Sequence, residues 1–459
     1  MEYIEFLKNK KKLKTSIGID VDIHMMNDVL FPFQKACVQR ALQVGRFALF
    51  EACGLGKTLQ QLEWAHHVVM NTGGNVLILA PLGVTVQTRD DEAPLLRYEV
   101  TLCRSQEDVR SGINITNYEM LDKFNTDEFI GVVLDESSIL KNFTGATRLK
   151  LTNAFANTKY KLCCTATPAP NDLMELLNHA DFLGVMSTAK ALATYFINDM
   201  KTGEWRLKGH ATKEFYRWCC TWSVNVDSPS DLGFDGSSYA LPKLNERVEV
   251  LEVDQIDEDF KDGFFREVKT SATGFNEEKR NTAEARARKC AEFVQLYQSE
   301  QFIIWCDLND EADLLMKLIP EAVEVRGSDK PSVKEQAAQD FKHENIRVLI
   351  SKPKIFGYGM NFQKCHNVLF CGLTYSYENY YQALRRIYRF GQTNEVNCWV
   401  ILGSTELHIM DTINRKRKQQ EELKNQMDLS LREIQMLMIE NSEEVKEVME
   451  AIPCIPEFI

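Results

Sequence analysis

A glycine-rich loop, EACGLGKT at positions 51–58, follows a short apolar run and precedes a helical run. Gly54 and Gly56 let backbone N–H groups close around a phosphate, and the helix that follows offers its positive N-terminal end. Leu55 lies between the two glycines and belongs to the same loop. This placement predicts a binding site for the phosphates of a nucleotide.

Two side chains of the loop are suited to phosphate and metal. Lys57 can bridge β- and γ-phosphates, and the hydroxyl of Thr58 can bind Mg²⁺. The general pattern GxxxxGK[ST] begins with glycine, whereas this chain has Glu51 at that position. The loop therefore predicts a nucleoside triphosphate and Mg²⁺ as ligands, with Lys57 as a catalytic residue.

Two adjacent carboxylates, Asp135 and Glu136, follow the apolar run Ile130–Leu134. One acid can hold Mg²⁺ and the other can polarise an attacking water. We predict Asp135 as a metal ligand together with Thr58, and Glu136 as the general base. The alternative is an acidic surface turn. This interpretation is weaker because a phosphate loop lies upstream in the same lobe.

A basic stretch, QALRRIYRFGQ, occupies positions 382–392. A guanidinium can stabilise the negative charge that develops on a γ-phosphate during hydrolysis. Arg386 and Arg389 are three residues apart, so we expect them on one side of a helix, where both can point into a cleft between two lobes. We predict both as catalytic, although a solvated helix face is the usual meaning of such a stretch.

Short apolar runs alternate with helical patterns in two parts of the chain, which is typical of parallel sheets covered on both faces. The first series of strands is predicted at 47–50, 76–79, 130–134 and 160–164, and the second at 302–305, 348–350, 368–370 and 399–402. The predicted fold class is α/β, with two parallel-sheet lobes in tandem, a helical insertion and a C-terminal helical brace.

The predicted organisation has five parts. They are an N-terminal basic segment at 1–27, the first lobe at 28–185, the helical insertion at 186–240, the second lobe at 241–405, and the helical brace with an acidic tail at 406–459. The insertion contains Trp205, Trp218 and Trp222, and we expect these aromatic side chains to pack locally.

Taken in order, the motifs resemble those of superfamily-two helicases, and more narrowly the SWI/SNF-type branch of DNA translocases. The resemblance also covers Phe33-Gln34 as a Q motif, Ala80-Pro81, the segment 115–118, Thr165–Pro168 as motif III, and GYGMNF at 357–362 as motif V. It implies RecA-like lobes, ATP as the nucleotide, Gln34 as a reader of adenine, and Gly359 as a nucleotide-binding residue. In the branch, the first motif also has an acid in place of the first glycine.

Some positions depart from the branch pattern. Ser137-Ser138 stand where the branch often has Ala-His, and Arg385 stands where motif VI commonly has an acid. In the family, the segment that contains Ser137 helps couple hydrolysis to movement of nucleic acid. The resemblance therefore implies ATP hydrolysis more directly than strand separation.

The first function hypothesis is an ATP-dependent DNA helicase or translocase, with duplex DNA favoured and single strands possible. An ATP-gated DNA clamp or scaffold with little turnover is the alternative, and the motor subunit of a restriction-type complex is a third. The presence of Lys57, Asp135, Glu136, Arg386 and Arg389 together favours turnover. Contacts to DNA are expected mostly on the backbone, because no sequence-reading module is visible. The sequence does not identify any protein partner.

The chain has 459 residues, a net charge of −12 and a pI near 5.4, which on average argues against a nucleic-acid partner. The acidity is concentrated, however: segment 421–459 carries −7 and segment 249–262 carries −6, so the remainder sums to +1. Net charge bears on average solubility and does not describe how charge is distributed over the surface. Segment 351–392 of the second lobe is locally basic and could contact DNA, and we expect the acidic tail to shield or regulate this surface.

The 13 cysteines are scattered, without metal-ligand spacing, which predicts reduced thiols. The N-terminus lacks the apolar core of a signal peptide, and no apolar run is long enough to span a membrane. These features predict a cytoplasmic location and no membrane partner. The chain resembles the compact forms of this branch carried by phages and bacteria, which implies the cytoplasm of a bacterium or an infected host and association with the nucleoid.

Overall fold

The computed structural model describes residues 17–142, 145–200, 205–252, 272–356 and 361–439. By their backbone contacts these residues form two units. The first unit comprises the described residues up to Ser238 together with those from Gln419 onward, and the second comprises Tyr239–Lys418.

The first unit is built on a seven-stranded parallel sheet with the order β3-β4-β2-β5-β6-β1-β9. A separate two-stranded antiparallel sheet pairs β7 with β8. The strands are β1 (Arg46–Glu51), β2 (Asn75–Ala80), β3 (Val100–Leu102), β4 (Ile113–Asn117), β5 (Phe129–Asp135), β6 (Tyr160–Thr165), β7 (Phe196–Asn198), β8 (Trp205–Leu207) and β9 (Ser223–Val226).

Helices cover both faces of this sheet, and several of their ends follow from single residues. Pro32 begins the first helix, where its missing N–H costs no hydrogen bond, and Gly45 ends it in a left-handed conformation. The helices are α1 (Pro32–Val44), α2 (Lys57–Thr72), α3 (Leu82–Gln87), α4 (Ala93–Leu96), α5 (Ala146–Ala154), α6 (Glu175–Leu183), α7 (Thr188–Tyr195) and α8 (Thr212–Trp222), with a π-helical turn at Thr88–Glu92.

The second unit is built on a six-stranded parallel sheet with the order β10-β15-β14-β11-β13-β12. Its strands are β10 (Leu244–Leu251), β11 (Phe302–Cys306), β12 (Val323–Val325), β13 (Val348–Ser351), β14 (Asn367–Cys371) and β15 (Val396–Gly403). Its helices are α9 (Ala272–Leu296), α10 (Asn309–Leu318), α11 (Pro331–Lys342), α12 (Pro353–Phe356) and α13 (Tyr377–Leu384).

Short 3-10 turns complete the elements. They lie at Ile23–Met25, Gln106–Asp108, Tyr118–Lys123, Thr126–Glu128, Ser137–Lys141, Gly209–Ala211, Pro229–Leu232, Ser237–Tyr239 and Ser404–Glu406. All eight strands predicted from apolar runs are present, each within one to three residues of its predicted ends. The two parallel sheets with flanking helices confirm the predicted fold class.

The last helix, α14 (Leu407–Ile439), continues across the division between the units. Ile409 and Ile413 are buried in the core of the second unit, whereas Leu423 and Met427 are buried in the core of the first. The C-terminal helical segment is therefore one helix, with side chains in the cores of both units.

The segment predicted as a helical insertion, 186–240, also contains strands. β9 pairs with β1 and so forms one edge of the first sheet. Its tryptophans do not pack only among themselves: Trp222 is buried and its ring lies edge-on to Phe50 of β1, with 6.1 Å between centroids. The segment is thus part of the first unit's sheet and core.

Candidate nucleotide site and the motifs around it

The predicted motifs of the first unit meet at one edge of its sheet. All strands run parallel, so their carboxyl ends lie at the same edge. β6 separates β1 from β5, and the register places Phe50 opposite Thr165 and Asp135 opposite Cys164. The phosphate loop, the acidic pair and motif III therefore leave neighbouring strands side by side.

The phosphate loop has the backbone that its glycines predict. Gly54 and Gly56 have φ angles of 95° and 80°, in the left-handed region that favours glycine. A Cβ added at Gly56 would lie 2.3 Å from Nε2 of Gln34, so a side chain at this position would collide with its neighbour. Leu55 between them is buried.

Lys57 is the first residue of α2, and its ammonium points back over the loop. The Nζ atom donates to the carbonyl oxygens of Glu51 at 2.8 Å and Ala52 at 3.2 Å. Thr58 follows in the first helical turn and is partly exposed. These residues fit a triphosphate. The glycines allow the loop backbone to approach the phosphates closely, and Lys57 provides a positive charge at the helix N-terminus.

Glu51, the acid in place of the first glycine, is fully buried beneath the loop. Its Oε2 accepts a hydrogen bond of 2.7 Å from Nε2 of Gln60. Burial raises the pKa of Glu51 to about 7, and the charge of Lys57 and hydrogen bonds from Gln60 and Cys37 partly oppose the shift. The Glu51 carboxylate therefore contacts the loop from its buried side, where a phosphate cannot reach it.

Asp135 ends β5 in a buried position and is linked directly to the helix of the phosphate loop. Nε2 of Gln61, one turn after Lys57, donates to Oδ1 of Asp135 at 2.6 Å. The hydroxyl of Tyr118 donates to the backbone oxygen of Asp135 at 2.6 Å. These contacts place the predicted metal ligand beside the helix that carries Thr58.

Glu136 has a left-handed backbone, with φ 52° and ψ 53°. This conformation costs a non-glycine residue on the order of 1–2 kcal/mol. It is followed by the 3-10 turn Ser137–Lys141, in which Ser137 and Ser138 are buried. The general base predicted from the sequence therefore lies at a sharp, strained turn next to Asp135.

Gln34, the predicted reader of adenine, and its neighbour Phe33 both lie inside the protein. Both ends of the Gln34 amide are bonded within the chain: Nε2 donates to the oxygen of Leu55 at 2.7 Å, and Oε1 accepts from N of Phe31 at 2.9 Å. Gln34 and Phe33 are both buried, whereas Phe31 is exposed. In this structure Gln34 thus supports the phosphate loop, and Phe33 is a core side chain.

In the second unit, Arg386 and Arg389 lie after a helix and not within it. α13 ends at Leu384, and the next residues form turns. The predicted helical placement of the two arginines is therefore wrong. The backbone oxygen of Arg386 accepts from N of Phe362 at 2.9 Å, which fixes the segment against motif V in a non-helical form.

The end of motif VI is held by side-chain contacts. Nε2 of Gln392 donates to the oxygens of Cys365 at 3.0 Å and Ile387 at 3.2 Å. The guanidinium of Arg385 lies over the rings of Tyr381 and Tyr388, at 5.1 and 5.2 Å from their centroids. Arg385 therefore packs against two aromatic rings.

The tyrosines near motif VI divide into two groups. Tyr377 and Tyr380 are buried in the second unit's core, whereas Tyr375 is exposed. The predicted nucleotide-binding residue Gly359 lies outside the described residues. Among the described residues, no cluster of three potential metal-ligating side chains is present, and no helix is long and apolar enough to cross a membrane.

Residues 285–391 match the helicase conserved C-terminal domain. The matched range begins in α9 and ends at Gly391, so it contains Arg386 and Arg389. The match supports a superfamily-two helicase-type protein. The two parallel sheets are then the tandem RecA-like lobes of such a protein. No curated protein matches the chain at a significant level.

Sequence reasoning missed three side chains that support this helicase-type site: Gln61, Tyr118 and His179. Gln61 lies four residues after Lys57, and this helical spacing could have indicated that it faces the same site. Tyr118 follows directly after β4, at the functional edge. His179 lies on a helix remote in sequence, where only the fold reveals its contact with Ser137.

Proposed function

We propose that the chain is an ATP-dependent DNA translocase of the SWI/SNF-type branch, which hydrolyses ATP to move along DNA, with duplex favoured. The observation that carries the proposal is the bond between Gln61 and Asp135, because it joins the phosphate-loop helix to the acidic pair at one sheet edge. The helicase C-terminal match in the other unit supports it.

In this proposal each polar group has one task. Lys57 binds the β- and γ-phosphates, with Gly54, Leu55 and Gly56 supplying backbone contacts. Glu136 accepts a proton from the attacking water. Thr58 and Asp135 would hold Mg²⁺, which when bound neutralises charge on the phosphates.

The second unit contributes basic residues. We propose Arg386 and Arg389 as the guanidinium groups that stabilise charge on the transferred phosphate. Gly359 of motif V is proposed as a further nucleotide-binding residue. Lys352 and Lys354, around the start of α12, are partly or fully exposed and are proposed to contact the DNA backbone.

The first test is steady-state ATP hydrolysis with and without duplex DNA. We expect DNA to stimulate the wild-type rate, and Lys57→Ala and Glu136→Gln each to lower it about 10²-fold or more, because each removes a group that acts on the transferred phosphate or on water. Lys159→Ala and Glu119→Gln are matched controls at exposed positions and should keep the wild-type rate.

The outcomes separate the competing functions. DNA binding without turnover in the wild-type protein would contradict the translocase and favour the ATP-gated clamp. Triplex displacement without fork unwinding, measured on the same preparation, would support duplex translocation. The opposite pattern would indicate a strand-separating helicase.

A further inference from the structure

The turn after β5 is held at both ends by side chains outside the phosphate loop and the acidic pair. On one side, the hydroxyl of Tyr118 donates to the backbone oxygen of Asp135 at 2.6 Å. On the other, the ring of His179 contacts the hydroxyl of Ser137, with 3.2 Å between Nε2 and Oγ. Glu136 is the residue between these two anchored positions.

His179 contacts polar groups through both of its ring nitrogens. Its Nδ1 lies 3.3 Å from the backbone oxygen of Glu175. Its Nε2 forms a hydrogen bond with the hydroxyl of Ser137. His179 and Ser137 are both fully buried, so water cannot replace either partner.

The same helix makes further contacts with this region. Nδ2 of Asn178 donates to the oxygens of Leu140 at 2.9 Å and Lys141 at 3.2 Å, within the 3-10 turn. The ring of His179 also lies edge-on to Phe50, with 5.2 Å between centroids. α6 therefore contacts both the strand that leads into the phosphate loop and the turn that follows Glu136.

These anchors matter because Glu136 has a backbone conformation that it would not adopt unaided. A left-handed φ of 52° persists in a glutamate only when its neighbours are fixed. Fixing the backbone of Asp135 and the side chain of Ser137 restrains both peptide units that flank Glu136. The direction in which the Glu136 side chain leaves the backbone then follows from its neighbours.

We propose that Tyr118 and His179 are positioning residues for Glu136: together they hold the Asp135–Ser137 turn in the left-handed form that directs the carboxylate. This inference rests on the proposed ATPase function. His179 provides from α6 a restraint on Ser137, at the place where the branch pattern differs in this chain.

The test uses two deletions of single interactions. Tyr118→Phe removes one hydroxyl, and His179→Leu replaces the imidazole that bonds to Ser137 with an apolar side chain of similar size. We expect each to lower kcat for ATP about 10-fold or more, with KM changed less than about threefold, because the phosphate loop is untouched. Tyr195→Phe, in another part of the same unit, is the matched control.

Two further variants distinguish positioning from general loss of structure. His179→Gln presents an amide, which can donate or accept a hydrogen bond, near the place of Nε2 and should restore kcat to within about threefold of wild type. In a double-mutant cycle, Ser137→Ala combined with His179→Leu should lose no more than the worse single variant, because both remove the same bond. Melting temperatures of all variants identify any that fail to fold.

The outcomes are distinct from those that test the function itself. Absence of ATP hydrolysis in the wild-type protein would contradict the proposed function. Normal hydrolysis in the wild type, with kcat unchanged in folded Tyr118→Phe and His179→Leu, would overturn the positioning inference alone. Additive losses in the Ser137 and His179 cycle would equally refute the His179 part of it.

Discussion

Replacing Glu51 by Gln should make the first unit more stable, and the gain should grow with pH. Burial raises the pKa of Glu51 from 4.5 to about 7, so between these pH values the folded chain keeps a proton that the unfolded chain releases. The stability of the wild type therefore falls as pH rises through this window, and the loss is complete above the folded pKa. Glutamine keeps the shape of the side chain and has no charge to bury.

The size of the effect follows from the shift. The folded and unfolded pKa values differ by about 2.5. At 1.36 kcal/mol for each pKa unit, the variant's advantage in the free energy of unfolding should grow by about 3 kcal/mol across this pH window. The charge of Lys57 is already included, since it opposes the shift. Little of this advantage should exist near pH 4.5, and nearly all of it near pH 8.

Cys37 provides a local assay. It is buried against Glu51, so a thiol reagent reaches it only when this part of the unit opens. Labelling of Cys37 in a urea series, followed by peptide mass spectrometry, gives the opening free energy, and comparing variants at one pH cancels the pH dependence of thiol chemistry. Glu119→Gln, at the surface, is the control. A Glu51→Gln advantage that stays constant from pH 4.5 to pH 8 would refute the reasoning.

Two further predictions concern nucleotide contact and the C-terminal segment. Among the described cysteines only Cys53 and Cys220 are not buried. Mg-ATP should slow the alkylation of Cys53 in the phosphate loop about 10-fold and leave the alkylation rate of Cys220 unchanged. Equal rates at Cys53 with and without nucleotide would count against binding at this loop. Truncation at residue 421 removes the buried Leu423 and Met427 and should destabilise the first unit by at least 2–5 kcal/mol, roughly the cost of one large-to-small core change. Deletion of 440–459 tests the shielding role predicted for the acidic tail. Tighter DNA binding by this variant would support that role, whereas unchanged affinity would contradict it.

The strands and the phosphate loop could be predicted because each depends on a local signal. A buried parallel strand requires a run of apolar residues, and the runs before Glu51 and Asp135 are uninterrupted. The glycines of the loop identify the positions of positive φ. Once the strands are known to be parallel, their carboxyl ends bring these motifs together without further information.

The errors occurred where contacts distant in sequence decide the structure. Around Arg386 the residues suit a helix, but bonds from Phe362 to its backbone and from Gln392 to Ile387 hold a turn. Propensity is a weak guide when tertiary hydrogen bonds compete with it. β9 is only four residues long and is stabilised by pairing with β1. The pattern within four residues is too short to predict a strand.

The Gln34 and His179 side chains show a second limit. An amide or an imidazole in the sequence indicates that a hydrogen bond will be made but not with which partner. Gln34, which the resemblance suggests as a reader of adenine, bonds to Leu55 of the phosphate loop, and His179 contacts a serine 42 residues away. Only the fold distinguishes a residue that contacts a ligand from one that supports those contacts.

The path of α14 has a consequence for how the chain folds during synthesis. Because Leu423 and Met427 belong to the core of the first unit, that core lacks two of its side chains until the ribosome has passed residue 427. The second unit, which ends at Lys418, has all its residues earlier. Domains usually fold in the order in which they emerge, N-terminal first. Here the unit that is begun first is completed last, so the core of the first unit remains incomplete while the second unit forms.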